Sequence, residues 1–147
     1  MSNTLEKLVK TIKSRKANDV NSSYTSFLLS KGSDHCLNKL KEELGEFEDA
    51  IKNNKNKVHE TADVIYHLLV TLESAGVNYD DIIKELNNRE GISGIEEKKN
   101  RVHETADVIY HLLVTLESAG INFGDIIKEL EKREGTSGFQ EKRNRQA

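Results

Sequence analysis

The chain has 147 residues, enough for one compact domain at roughly 100–200 residues per domain, and its 35% apolar content can build a core. Its 22 Lys and Arg against 25 Asp and Glu leave a formal net charge of −3, which excludes a generic basic grip on nucleic acid. The single cysteine, Cys36, excludes an intrachain disulfide and zinc sites built on paired cysteines, and it leans to a reducing compartment. No charged-then-apolar start resembles a signal peptide, and the longest apolar stretch, Val64 to Leu72, is broken by His67 and too short to span a bilayer. A soluble cytoplasmic protein without membrane or nucleic-acid partners is expected.

Prolines are absent, where about seven would be expected at ordinary usage. Aromatics are scarce, and Leu, Glu, Lys and Ala fill the periodic stretches, so the fold class is all-α. Residues 3–16 carry Leu5, Leu8, Val9 and Ile12 at helical spacing and form an amphipathic helix. A polar turn at Asn18–Ser23 precedes a short helix from Tyr24 that stops near Gly32. Residues 35–53 form a long helix with Leu37, Leu40, Leu44, Phe47 and Ile51 on one stripe. Asn56 is placed to cap the next helix, residues 57–75, which Gly76 closes. Residues 79–90 form a shorter helix ended by Gly91.

The second half is a repeat. Residues 57–100 recur at 101–144 with 34 of 44 positions identical. The repeat predicts helices at 101–119 and 123–134, closed by Gly120 and Gly135, and a charged, frayed tail from Gln140. Two near-identical copies behind a unique N-terminal half read as a partial tandem duplication rather than a solenoid. Residues 1–100 then form one helical domain and 101–147 a second copy of its C-terminal helix pair.

Two pairs of acids stand out. Glu43 and Glu46 are three apart in one long helix, and Glu60 and Asp63 are three apart in the next. That spacing puts each pair on one helical face. Four carboxylates from two facing helices form an oxygen-rich cage suited to Mg²⁺ or Mn²⁺, because like charges this close repel unless a cation joins them. The 57–75 helix is apolar around most of its circumference, leaving Glu60, Asp63 and His67 on its one polar stripe. Spacing alone leaves a blander reading open: acids favour a first helical turn through the macrodipole, and Glu43 and Glu46 sit in a run, KEELGEFED, that suits a solvated face. His59-Glu60 begins like the zinc-protease HExxH motif, but Asp63 stands at its last position. His35 beside Cys36 has no partners at ligand spacing, and spacing alone makes Lys39 and Lys41 surface charges.

The segments SYTSFLLSKG (Ser23–Gly32), KLKEELGEFEDA (Lys39–Ala50), ETADVIYHLLVTL (Glu60–Leu72) and KELNNREGISGIEEK (Lys84–Lys98), in this order, resemble phosphoribosyl-ATP pyrophosphatases. These belong to the all-α NTP pyrophosphatase, MazG-like superfamily. The ExxE and ExxD pairs mark only the superfamily, whereas the SYT segment, the ADxxYHLLV helix and the SGxxEK tail are specific to the phosphoribosyl-ATP branch. The resemblance implies an antiparallel helical bundle and Mg²⁺-dependent hydrolysis of phosphoribosyl-ATP to phosphoribosyl-AMP and pyrophosphate, a step of histidine biosynthesis. It further implies that Glu43, Glu46, Glu60 and Asp63 hold the metal and that Glu42 or Glu46 serves as general base. Lys39, with the Ser23, Tyr24 and Thr25 segment, is the implied substrate contact. Asn38, Lys41 and Leu44 depart from the family pattern beside the site. Dimerisation through the central helices, or a higher homo-oligomer, is implied as well.

The second copy carries Glu104 and Asp107, a duplicate ExxD pair with no second ExxE pair beside it. The two near-identical helices are expected to compete for one groove on the 35–53 helix, the loser lying outside, stacking, or swapping to a partner chain. A housecleaning NTP pyrophosphatase, or a non-catalytic assembly whose added block occludes the site, are the alternative functions. Retention of all four acids favours catalysis, and the branch-specific segments favour phosphoribosyl-ATP.

Overall fold

The computed structural model describes residues 3–90 and 100–134. Among these are seven helices and no strand: α1 (Asn3–Arg15), α2 (Tyr24–Lys31), α3 (Ser33–Asn53), α4 (Lys57–Ser74), α5 (Tyr79–Arg89), α6 (Arg101–Ser118) and α7 (Phe123–Arg133). None is long and apolar enough to cross a membrane. The closures expected at Gly91 and Gly135, the SGxxEK segment and the frayed tail lie outside the described residues.

Helix α4 is the centre. Eleven of its residues, Thr61–Ile65 and His67–Leu72, are buried. Helix α3 packs along it as an antiparallel neighbour across a three-residue connection, and α1, α2 and α7 cover its other sides. Gly76 and Gly120 close α4 and α6 with positive φ, 72° and 70°, the left-handed conformation that glycine adopts without steric cost.

Two local expectations are corrected. The buried stripe of α3 runs through Cys36, Leu40, Glu43, Phe47 and Ala50, one residue behind the expected stripe at its first, third and last members. Leu37 and Leu44 point to solvent at 42% and 39% exposure. That rotation turns Glu43 inward. Asn56 does not cap α4 with its side chain: it sits in the left-handed region at φ 57°, where only its carbonyl serves, accepting from the Glu60 amide. Its counterpart Asn100 is extended and does cap α6, accepting from the His103 amide at 2.8 Å. At Asn56 the tight α3–α4 connection sets the backbone, with Asn54 left-handed as well.

The repeats pack crosswise. Helix α7 of the second copy lies on α4 of the first, while α5 of the first lies on α6 of the second. The first residue of each long helix caps the end of the other: Lys57 donates to the Ala119 carbonyl and Arg101 to that of Ala75, both at 3.0 Å. Helices α4 and α6 therefore run in opposite directions about a local pseudo-two-fold axis. Of the two near-identical helices, α4 takes the groove on α3 and α6 lies outside it. Val64, Tyr66, Leu69 and Val70 of α4 are buried or half-buried, whereas their counterparts Val108, Tyr110, Leu113 and Val114 are exposed by 37–56%.

This asymmetry gives a direct test. Val70→Asp, placing a charge at a fully enclosed position, is expected to cost at least about 4 kcal/mol, and Val114→Asp, at the same repeat position, to stay within about 0.5 kcal/mol. Chemical denaturation of the two variants in dilute solution measures both. Cys36, 1% exposed with Sγ directed at the Leu28 carbonyl, has its thiol pushed up by burial. Its alkylation at pH 8 should proceed only as fast as the fold opens, and rapid labelling of the native chain would contradict that packing.

Candidate functional site

The acids meet where the middle of α3 crosses the first turns of α4. Because Glu43 lies on the buried stripe of α3, its carboxylate faces α4, where the His67 Nε2 lies 3.4 Å from its Oε1. Glu46, one turn on, sits at the solvent-facing edge of the same cluster. Glu60 comes from the half-buried first turn of α4 and Asp63 from the buried turn that follows. Two overlapping groups result: oxygens of Glu43, Glu46 and Glu60 lie within 4.8 Å of one another, as do ligating atoms of His59, Glu60 and Asp63. All four acids singled out by spacing are thus gathered at one place, with Glu60 common to both groups.

Their electrostatics fit a cation. Burial, then the charges of Asp63 and Glu46, raise the Glu60 carboxyl above the ordinary range. Its Oε2 is buried without a hydrogen-bond partner. A buried carboxylate oxygen with like charges around it is costly, and a hard divalent ion, which takes several oxygen ligands, offsets that cost. Glu43, Glu46, Glu60 and Asp63 with the imidazole of His59 are the residues able to hold one.

The other predicted residues fall around this cluster in different ways. Glu42 is well exposed and bonded at 2.9 Å to Lys39, whose ammonium is held above its ordinary range first by that bond. Lys39 is therefore a paired cation beside the acids rather than a free surface charge. Ser23 is buried and its hydroxyl caps α2, accepting from the Ser26 amide. Thr25 is bonded to the Tyr66 hydroxyl of α4, and Tyr24 packs edge-on against His67. The SYT segment thus braces the wall behind the acids. His35 stands edge-on to Phe27. Glu104 is exposed, and among the described residues neither it nor Asp107 joins a cluster of ligating groups.

Two residues of the second copy reach the site. Arg133 of α7 is paired with Asp63 Oδ1, donates to the His59 carbonyl at 3.2 Å, and lies 3.0 Å from His59 Nδ1. Glu129, one turn earlier, contacts both Arg133 and His59. Spacing within one helix pair could not find them, although the Glu-x₃-Arg signal stands in both copies.

A protein-family model described as phosphoribosyl-ATP pyrophosphohydrolase matches residues 5–90 and again residues 93–134. Among curated relatives, the phosphoribosyl-ATP pyrophosphatase of Limosilactobacillus fermentum is 46% identical over 60% of this chain and 85% of its own length. That of Dechloromonas aromatica is 46% identical over 63% and 87%, and that of Bacillus cereus 43% identical over 62% and 87%. No solved structure matches to significance.

Proposed function

Because the chain belongs to the phosphoribosyl-ATP pyrophosphohydrolase family, enzymes that hydrolyse a phosphoric anhydride, we propose that it cleaves phosphoribosyl-ATP to phosphoribosyl-AMP and pyrophosphate in histidine biosynthesis, with Mg²⁺. The observation that carries this reading is the convergence of Glu43, Glu46, Glu60 and Asp63 at the α3–α4 crossing, with a buried Glu60 oxygen lacking a partner.

The reaction needs a water delivered to the α-phosphorus and a pyrophosphate able to leave with the bond's electron pair. A divalent cation bound to the acids supplies charge neutralisation of the phosphates and a more acidic water. The protein does the rest. Helix α4, anchored on most sides, fixes Glu60 and Asp63 against α3, so these two acids are held in place before binding. Glu46 and Glu42, both exposed, can take the proton of the attacking water, Glu46 from within the cluster and Glu42 from its rim. Lys39 can exchange its bond to Glu42 for a phosphate oxygen, which frees Glu42 as a base in the same movement. No covalent intermediate is needed.

Magnesium-dependent pyrophosphate release from phosphoribosyl-ATP, measured beside ATP and dATP, tests the reading. Glu43→Gln, Glu60→Gln and Asp63→Asn should each lower kcat/KM by about a hundred-fold or more, several kcal/mol of charge stabilisation being at stake, while Glu104→Gln keeps most of it. Chelation with EDTA should abolish turnover and Mg²⁺ or Mn²⁺ restore it. Equal rates on all three nucleotides would replace the substrate with NTPs in general, and turnover surviving EDTA would overturn the metal.

A further inference from the structure

Helices α5 and α7 end in the same pattern, Glu-x₃-Arg, which puts Glu85 with Arg89, and Glu129 with Arg133, on one face of their helices. The targets are duplicated as well: His59 and Asp63 on α4, His103 and Asp107 on α6. The fold joins them crosswise. Arg89 of the first copy pairs with Asp107 and donates to the His103 carbonyl at 3.0 Å, and Arg133 of the second copy does the same to Asp63 and His59. The two constellations are alike to within a few tenths of an ångström, with His59 Nε2 3.5 Å from Asp63 Oδ2 and His103 Nε2 3.6 Å from Asp107 Oδ2. They differ in their surroundings: only Asp63 faces an ExxE helix, and its side chain is 4% exposed against 41% for that of Asp107.

We propose that Arg133, contributed by the duplicated block, is the positioning residue of the acidic site, holding Asp63 Oδ1 so that the second carboxylate oxygen is kept towards His59 and Glu60. The duplication then completes the site instead of occluding it. The inference rests on the acidic cluster being a metal site. An enclosed carboxylate with one oxygen held by a guanidinium has its rotamer fixed, and outer partners of metal-ligating carboxylates set metal affinity by that means. Lysine cannot replace the planar fork that spans the Asp63 carboxylate and the His59 carbonyl together.

The test compares Arg133→Gln, Arg133→Lys and Arg89→Gln in the full chain, reading Mn²⁺ affinity by the electron spin resonance of free Mn²⁺, thermal unfolding without metal, and turnover. Arg133→Gln should weaken Mn²⁺ binding by about 10–100-fold and lower turnover with it, Arg133→Lys should recover part, and Arg89→Gln should leave both within about twofold. Equal Mn²⁺ affinity in wild type and Arg133→Gln, or the same loss in Arg89→Gln, would overturn the inference even if both variants melt earlier. Should Arg133→Gln fail to fold, Arg133→Lys against Arg89→Lys carries the comparison, and equal affinities there overturn it too. Wild-type chain that binds Mn²⁺ with the stated Arg133 dependence but leaves phosphoribosyl-ATP intact would uphold the role of Arg133 and reject the proposed substrate. No Mn²⁺ binding by the wild type would reject the metal site and, with it, the role of Arg133.

Discussion

Asp63 is the constraint around which the rest is arranged. An ionised carboxylate at 3% exposure, on a helix packed along most of its length, is tolerable only when charged or hydrogen-bonding groups surround it. Arg133 meets one oxygen, and His59 stands near the other. The same demand extends to the neighbouring acids. Glu43 is turned inward by the rotation of α3 and has His67 beside it, while Glu60 keeps an unmatched oxygen. Removing a partner from a buried pair costs more than the pair itself contributes, since the remaining charge is left uncompensated. The site thus sets Arg133, His59 and His67 among the acids, and the Glu60 oxygen without a partner is where a further positive charge would be favoured.

Identical sequence in two environments separates local from tertiary causes. Residues 58–76 and 102–120 are the same, and both form a long helix closed by a left-handed glycine. Yet α4 is nearly enclosed and α6 shows Val108, Tyr110, Leu113 and Val114 to solvent. Propensity and capping therefore decide that these segments are helical. Which face is covered depends on where the single N-terminal unit, α1–α3, can reach. The three-residue connection after α3 ties that unit to α4 and leaves none for α6.

The helices and the repeat were legible in the sequence because 3.6-residue periodicity and glycine stops are local signals, and each element ends within two residues of its expected bound. The family was legible from the motif segments. The phase of α3 was not. Cys36, Leu40, Glu43, Phe47 and Ala50 form a stripe adjacent to Leu37 and Leu44, and hydrophobicity alone prefers the leucines. Burying Glu43 makes sense only once His67 and the other acids face it, which is tertiary information. Asn56 failed as a cap for a similar reason, because the length of the turn before it, and not its side chain, sets its backbone. Arg133 escaped notice because its partners lie seventy or more positions away, at Asp63 and His59.

The crosswise pairing is not forced by reach. Asp63 lies eleven residues before the end of α4 and Arg89 ten residues after the start of α5, about 15–16 Å of helix each at 1.5 Å per residue. A hairpin folded back within one copy would have the length to bring Arg89 to Asp63. Exchange between copies makes the same ion pairs, as in a domain swap confined to one chain. What the exchange adds is the reciprocal capping of helix ends, Lys57 on the Ala119 carbonyl and Arg101 on that of Ala75, which joins α4 to α6 and is lost when each copy closes on itself. Each helix end exposes carbonyls without intrahelical partners, and a cation placed there also meets the negative pole of the helix dipole. Equal gains elsewhere leave those caps to favour the exchanged form. The same exchange lays α7 on α4 and so brings Arg133 of the second copy to Asp63 of the first.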